Sequence, residues 1–265
     1  VPLALHHTSF AYTPSRPVLD RASLTIHPAR VTALIGPNGS GKSTALLLLA
    51  GLRDPHSGRA TLDDTPLASI PPARRAARIA WVPQRSTPAF AYSVAQTIAL
   101  GRAALAPSPA AVARAAHALA LTDMLDRPIT ELSVGQHQRV ALARALCQLD
   151  LPDDTHPNSS PRYLLADEPT SALDPAHVAA ALALFQRLAR AGVGVALALH
   201  DLTQAAHAAD LIAPISDRTI GPPLPPPDAL STARLQSLYG TPFAVPTAPV
   251  PVPAGLPHPT APPGP

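Results

Sequence analysis

Val31-Thr32-Ala33-Leu34-Ile35-Gly36-Pro37-Asn38-Gly39-Ser40-Gly41-Lys42-Ser43-Thr44 is the stretch that decides the fold. Its first five residues carry little alternation, the mark of a strand buried on both faces in a parallel sheet. A glycine-rich turn follows and opens onto residues 42–51, which read as a helix. The pattern Gly-x4-Gly-Lys-Ser between a strand and a helix is a phosphate loop. Its glycines let the backbone curl until successive N–H groups point inward, and the helix N-terminus adds partial positive charge. Lys42 supplies an ammonium for the β and γ phosphates of a nucleotide, and the Ser43 hydroxyl is a hard oxygen ligand suited to Mg2+. The candidate nucleotide-binding set is therefore Gly36, Pro37, Asn38, Gly39, Ser40, Gly41, Lys42, Ser43 and Thr44.

Outward from this loop, strand-like runs recur at 3–10, 23–27, 79–82, 163–166 and 193–199. Helical stretches at 94–101, 110–120, 134–149, 176–191 and 202–209 alternate with them, which predicts an α/β domain. Residues from about 84 to 132 are almost all helical in pattern and read as an insert within that domain. The segment 151–161, rich in Asp, Pro, Asn and Ser, reads as an exposed loop. Proline dominates from about 222, interrupted by an amphipathic stretch at 228–239, and residues 241–265 read as a disordered tail.

A second signal follows the apolar run 163–166, which ends in Asp167-Glu168-Pro169-Thr170. An Asp at the tip of a buried strand beside a phosphate loop can hold Mg2+. Strand alternation would turn the adjacent Glu168 the other way, towards a water that it could orient and deprotonate. His200, just after the run 193–199, is placed to reach a γ-phosphate and steady that water.

Composition narrows the classes. Of 265 residues, 46% are hydrophobic and 14% charged, with a net charge of +3, so a packed globular protein is expected. Lys42 is the only lysine, and Glu131 and Glu168 are the only glutamates, so each stands out against a drifted composition. Arg74, Arg75 and Arg78 are the nearest approach to a basic cluster and read as a solvated helix face, so nucleic acid is not expected as a partner. The single cysteine, Cys147, excludes an internal disulfide, argues for a reducing compartment and reads as buried filler. The start of the chain lacks the features of a signal peptide, and no apolar run reaches the roughly 18 residues of a membrane span. Membrane association is expected through a partner.

Over roughly residues 1–212 the motifs resemble, in order, those of ABC transporter ATPase subunits. Tyr12 resembles the aromatic that stacks on adenine. Gln84, in Trp81-Val82-Pro83-Gln84, resembles the glutamine that touches Mg2+ and couples to the transmembrane subunit. Leu132-Ser133-Val134-Gly135-Gln136 resembles the family signature at a helix start, Ser171-Ala172-Leu173-Asp174 the loop that crosses the dimer interface, and His200 the switch histidine. The resemblance implies a P-loop ABC ATPase core, a mixed sheet with flanking helices, over residues 1–240, with an inserted helical subdomain at about 85–150. It implies ATP and Mg2+, with Glu168, His200 and Gln84 catalytic, and Ser43, Gln84 and Asp167 around the metal. It also implies a homodimer in which Ser133, Gly135, Gln136 and Asp174 serve the nucleotide held by the other copy. Two permease chains, a periplasmic substrate-binding protein and a peripheral place on the cytoplasmic face of an inner membrane complete that expectation.

Within the family, Tyr92-Ser93-Val94-Ala95-Gln96-Thr97-Ile98-Ala99-Leu100-Gly101-Arg102 and Leu62-Asp63-Asp64-Thr65-Pro66-Leu67 look like the iron-chelate, heme and cobalamin importers. The loop 151–161, with Arg162-Tyr163-Leu164-Leu165 and Asp174-Pro175-Ala176-His177, resembles heme-import ATPases, so heme is favoured over ferric siderophore or cobalamin. The rivals are a soluble ABC protein acting on nucleic acid or ribosomes, against which stand the single cassette and absent heptads, and a non-hydrolysing subunit. Three departures mark the chain. Val134 replaces the usual second glycine of the signature, and Ala29-Arg30 stands where glycine and an acid are usual. The terminal hairpin expected after Leu211 looks cut short by residues 214–227, which hold no glycine before Gly221.

Overall fold

Two sheets enclose one buried helix. The structure, a computed structural model, describes residues 2–84, 91–149 and 161–244. The elements run β1 (Leu3–Thr13), β2 (Arg16–Ile26), β3 (Val31–Ile35), α1 (Lys42–Leu49), β4 (Ser57–Leu62), β5 (Thr65–Pro66), α2 (Pro72–Ala76), β6 (Ile79–Val82), α3 (Val94–Ala99), α4 (Pro109–Ala118) and α5 (Val134–Leu149). They continue with β7 (Tyr163–Asp167), α6 (Pro175–Arg190), β8 (Gly194–Ala198), α7 (Leu202–Ala208), β9 (Leu211–Ser216), β10 (Thr219–Ile220), α8 (Pro226–Ala229) and α9 (Thr232–Tyr239). Most of the loop read at 151–161, and the tail from 245 on, lie outside the described residues.

The larger sheet has the order β10-β9-β3-β8-β7-β6, parallel except for the β9–β10 hairpin; the smaller, antiparallel sheet has the order β2-β1-β4-β5. Every residue of β3, β7 and β8 is buried, as their unalternating apolar runs require. Alternate side chains serve two different cores. Val31, Ala33, Ile35, Leu164, Ala166, Val195 and Leu197 face a core shared with the helices α3 to α7. Leu34, Tyr163, Leu165, Ala196 and Ala198 face a second core made with α1 and the antiparallel sheet. Because α1 lies between two sheets, six of its eight residues are buried.

This order brings four parallel strand ends to one edge. β3 runs into the phosphate loop, β7 into Glu168, β8 towards His200 and β6 towards Gln84. Ligand sites of open parallel sheets lie at this C-terminal edge. Among the described residues no helix is long and apolar enough to cross a membrane.

Two readings need correction. The terminal hairpin is present: β9 pairs with β3 and β10 through a turn in which Asp217 (φ 48°) and Arg218 (φ 65°) take the left-handed conformation without glycine. Aspartate tolerates that conformation, and the Asp20 amide anchors the turn by donating to the Arg218 carbonyl at 2.8 Å. Pro214 fits inside β9, where its carbonyl accepts from Gly221 N–H at 2.8 Å. Of the arginines read as a solvated face, Arg74 is exposed, whereas Arg75 and Arg78 are bonded into the fold. Arg75 donates to the Leu67 carbonyl at 2.9 Å, and Arg78 pairs with Asp63 and donates to the Pro161 carbonyl at 2.8 Å.

The other two departures have opposite consequences. Val134 is the first helical residue of α5 with no positive φ, so valine fits its backbone; its side chain is 72% exposed. Ala29 takes φ 58° in the turn between β2 and β3, where a Cβ is strained. Ala29→Gly is therefore expected to stabilise the fold by about 0.5–1 kcal/mol, the relieved strain outweighing the added freedom of the unfolded chain. Urea unfolding of the two proteins checks it, and a variant less stable than the parent refutes it.

Candidate functional site

The phosphate loop is shaped by three glycines with positive φ: Gly36 (152°), Gly39 (77°) and Gly41 (105°). Gly36 is the tightest, since a Cβ there would lie 2.2 Å from the Ile215 carbonyl oxygen. Lys42 is only 5% exposed, and its ammonium donates to the carbonyls of Gly36 at 2.7 Å and Pro37 at 3.0 Å. Burial lowers the pKa of Lys42 from its ordinary value, while the charges of Glu168 and Asp167 oppose that shift. The Ser40 hydroxyl is buried inside the loop without a hydrogen-bond partner.

The loop forms the floor of a cavity of about 1460 Å³ that brings Tyr12, residues 37–44, Gln84, Glu168 and His200 together. Tyr12 is 57% exposed, braced edge-on by Phe10 with ring centroids 5.0 Å apart, and its hydroxyl lies 3.3 Å from that of Thr44. A rigid, open aromatic face at the mouth of a phosphate loop suits a purine. Arg16, the first residue of β2, and Arg218, in the β9–β10 turn, also line this cavity. Nothing local in the sequence marks either arginine as facing a ligand.

Glu168 lies at the centre of the chemistry. Its Oε2 accepts from Gln84 Nε2 at 2.7 Å, and its Oε1 is hydrogen-bonded to His200 Nε2. Its direction is not set by strand alternation, as the sequence suggested: β7 ends at Asp167, and Glu168 takes a left-handed φ of 46° with its N–H on the Ala198 carbonyl at 3.0 Å. Such strain clusters at functional sites, where surrounding bonds enforce it. The following turn is tied down by Thr170, whose hydroxyl donates to Gln204 Oε1 of α7 at 2.6 Å.

Asp167 is 5% exposed, with its Oδ1 buried and unpartnered. Burial pushes its carboxyl up from the ordinary 3.8; a hydrogen bond from Ser43 and the charges of Lys42 and His200 pull it down, and Glu168 pushes it further up. An orphaned carboxylate oxygen beside a hydroxyl, with a glutamine near by, is a hard-oxygen set that fits Mg2+, an ion that takes few protein ligands and completes its shell with phosphate oxygens and water. Among the described residues no group of three or more His, Cys, Asp and Glu could hold a metal.

The remaining expected residues lie elsewhere. Ser133 and Gln136 form a reciprocal capping box at the start of α5, Ser133 N–H donating to Gln136 Oε1 at 2.8 Å and Gln136 N–H to Ser133 Oγ at 3.3 Å. Gly135 packs on the 171–174 loop, where a Cβ would lie 2.8 Å from the Ala172 carbonyl oxygen. Asp174 caps α6, accepting from the His177 amide at 3.0 Å and pairing with its ring at 2.7 Å; the first of these bonds is the main cause that lowers its carboxyl pKa. None of Ser133, Gly135, Gln136 and Asp174 lines the phosphate cavity of its own chain.

Comparison with known proteins bears on the fold and the chemistry alike. The family model for the ABC transporter matches residues 19–171. The chain is 38% identical over 241 residues to the hemin import ATP-binding protein HmuV of Rhodococcus jostii (strain RHA1), covering 89% of this chain and 79% of that one. It is 39% identical to the protein of the same name from Burkholderia cenocepacia (strain HI2424), covering 95% of this chain and 100% of that one. Among solved structures it is similar to an ABC transporter assigned to the metal-chelate type, in an inward-facing conformation, with TM-score 0.74 and 26% identity over 91% of this chain and 90% of that one.

The raised Asp167 pKa gives a test with a definite sign. A carboxyl whose folded pKa lies above its unfolded value favours folding when protonated, and that favour is lost as pH rises through the folded pKa. Asp167→Asn is therefore expected to be more stable than the parent at pH 7 without nucleotide or Mg2+, with the difference shrinking as pH falls towards 3.8. Urea unfolding across that pH range checks it; an Asn variant that is less stable at neutral pH contradicts it.

Proposed function

The chain belongs to the ABC transporter family as an ATPase subunit, and from that premise we propose that it couples ATP hydrolysis to the import of heme. It works with a permease; the homodimer, the two permease chains, the periplasmic binding protein and the cytoplasmic face of an inner membrane are parts of this proposal. So is the division into an ATP-binding domain over 1–240, carrying a helical subdomain at about 85–150, and a tail.

The observation that carries the hydrolytic reading is Glu168 held between Gln84 and His200 at the wall of the phosphate cavity. In the proposed mechanism adenine stacks on Tyr12, and the loop amides of residues 37–44 gather the phosphates. The Lys42 ammonium leaves the Gly36 and Pro37 carbonyls for the β and γ oxygens. Ser43, Asp167 and Gln84 would hold Mg2+, which neutralises developing charge on the transferring phosphoryl group. Glu168 accepts the proton of the attacking water, and His200 fixes the carboxylate that receives it. Ser133 and the Gly135 amide of a second copy, at the N-terminus of α5, would close the site over the γ-phosphate. The exposure of Val134 and the absence of these residues from the cavity of their own chain support that arrangement.

Glu168→Gln keeps the hydrogen-bond shape and loses the base. It is expected to bind ATP like the parent and to hydrolyse it at least about 100-fold more slowly; parent-like turnover overturns the role of Glu168. Heme as cargo is supported by the likeness to hemin import ATP-binding proteins. Cells whose copy carries Lys42→Ala are expected to lose growth on hemin as the iron source and to keep growth on inorganic iron. Loss of growth on a ferric siderophore, or of cobalamin-dependent growth, with hemin use intact assigns the transporter to that cargo instead.

A further inference from the structure

Glu168 and His200 stand on separate turns, after β7 and β8, and one further side chain spans both. Gln204, in the first turn of α7, accepts at Oε1 from the Thr170 hydroxyl at 2.6 Å, in the turn that follows Glu168. Its backbone N–H and its Nε2 donate to the carboxylate of Asp201, the residue after His200, at 3.1 and 3.3 Å. A carboxylate only accepts, so the amide nitrogen faces Asp201 and the amide oxygen is left for the Thr170 hydroxyl. Both ends of this link are firmly seated. Thr170 is 5% exposed. Ala205 and Ala208 of α7 are buried in the core, and Gln186 of α6 donates from Nε2 to the His207 carbonyl at 2.7 Å.

The bonds close a ring. Glu168 is hydrogen-bonded to His200, the chain leads on to Asp201, Asp201 is bonded to Gln204, Gln204 to Thr170, and Pro169 returns the chain to Glu168. The Glu168 N–H on the Ala198 carbonyl fixes one end of the Glu168 turn to β8, and the Thr170–Gln204 bond fixes its other end to the helix that follows His200. We propose that Gln204 is a positioning residue for hydrolysis, holding the turn of Glu168 against the turn of His200 so that the carboxylate meets water in one orientation. The left-handed backbone of Glu168 needs such support, because strain of this kind persists only where surrounding bonds over-determine it. Small misplacements of a reacting group cost rate steeply. Neither Thr170 nor Gln204 lines the nucleotide cavity, so the link acts on the chemical step and not on ATP affinity. The inference rests on Glu168 as the base and is independent of the cargo.

Thr170→Val removes the hydroxyl and nearly keeps the shape, and Gln204→Met cuts the same link from its other side. In the full chain, well below the thermal midpoints, each is expected to lower kcat for ATP about three- to tenfold, the size of one neutral hydrogen bond, with KM changed less than about twofold. The double variant should lose no more than either single one, because both remove one link. Thr170→Ser keeps the hydroxyl and is expected to return kcat to within about twofold of the parent. In a Glu168→Gln background, Thr170→Val should leave the residual rate unchanged, since no base remains to be placed. A parent-like kcat in both single variants, a loss that appears in KM instead, or an equal loss with and without Glu168 overturns the positioning role. Parent-like turnover by Glu168→Gln alone overturns the hydrolytic reading itself, a different result.

Discussion

An ammonium buried among carbonyls is the interaction on which the site depends. Lys42 is nearly enclosed, and two carbonyls of the loop that precedes it satisfy two of its three donors. That contact closes the turn on itself and keeps a cation where phosphate oxygens will arrive. It also sets the local electrostatics. Glu168 and Asp167 act on Lys42 to keep it charged against the cost of burial, and Lys42 in turn favours the ionised form of Asp167. Removing the lysine would leave a buried carboxylate with less to offset its desolvation, so binding and stability are linked at this one side chain.

Much of this was legible in the sequence, for reasons that differ by element. β3, β6, β7 and β8 are short apolar runs with clear ends, and the phosphate loop has a spacing that only one geometry satisfies. β4 was invisible, because its burial comes in a block and its Gly58 serves a close approach: a Cβ there would lie 2.3 Å from the His7 carbonyl oxygen on β1. The hairpin of β9 and β10 was misjudged because proline and the lack of glycine count against a strand and a turn locally, while the parallel partner β3 and the Asp20 amide override both. Tertiary pairing outweighed local propensity there.

The site shows the same division. Asp167 and Glu168 were readable from the end of a buried strand, yet the direction of Glu168 comes from a strained backbone rather than from alternation. Ser237 and Leu238 gave no signal: they stand far along the chain in a proline-bounded stretch, and only the placement of α9 brings them to the cavity. Sequence motifs report the groups that touch a ligand. The groups that hold those in place are recruited by the fold from wherever a side chain passes, and they carry no common spacing.

The central place of β3 has a consequence in time. Its neighbours are β8 and β9, so that Val31 pairs with Val195 and Thr32 with Leu211, and neither partner exists when the strand first leaves the ribosome. Pairings so distant in sequence form late and pay most of the loop-closure entropy. The loop that Lys42 closes therefore has no rigid strand behind it until most of the chain has been made, and Glu168 and His200 follow it in the same order of synthesis. A chain that ends before β8 and β9 carries the phosphate motif in full and still lacks both strands that flank β3.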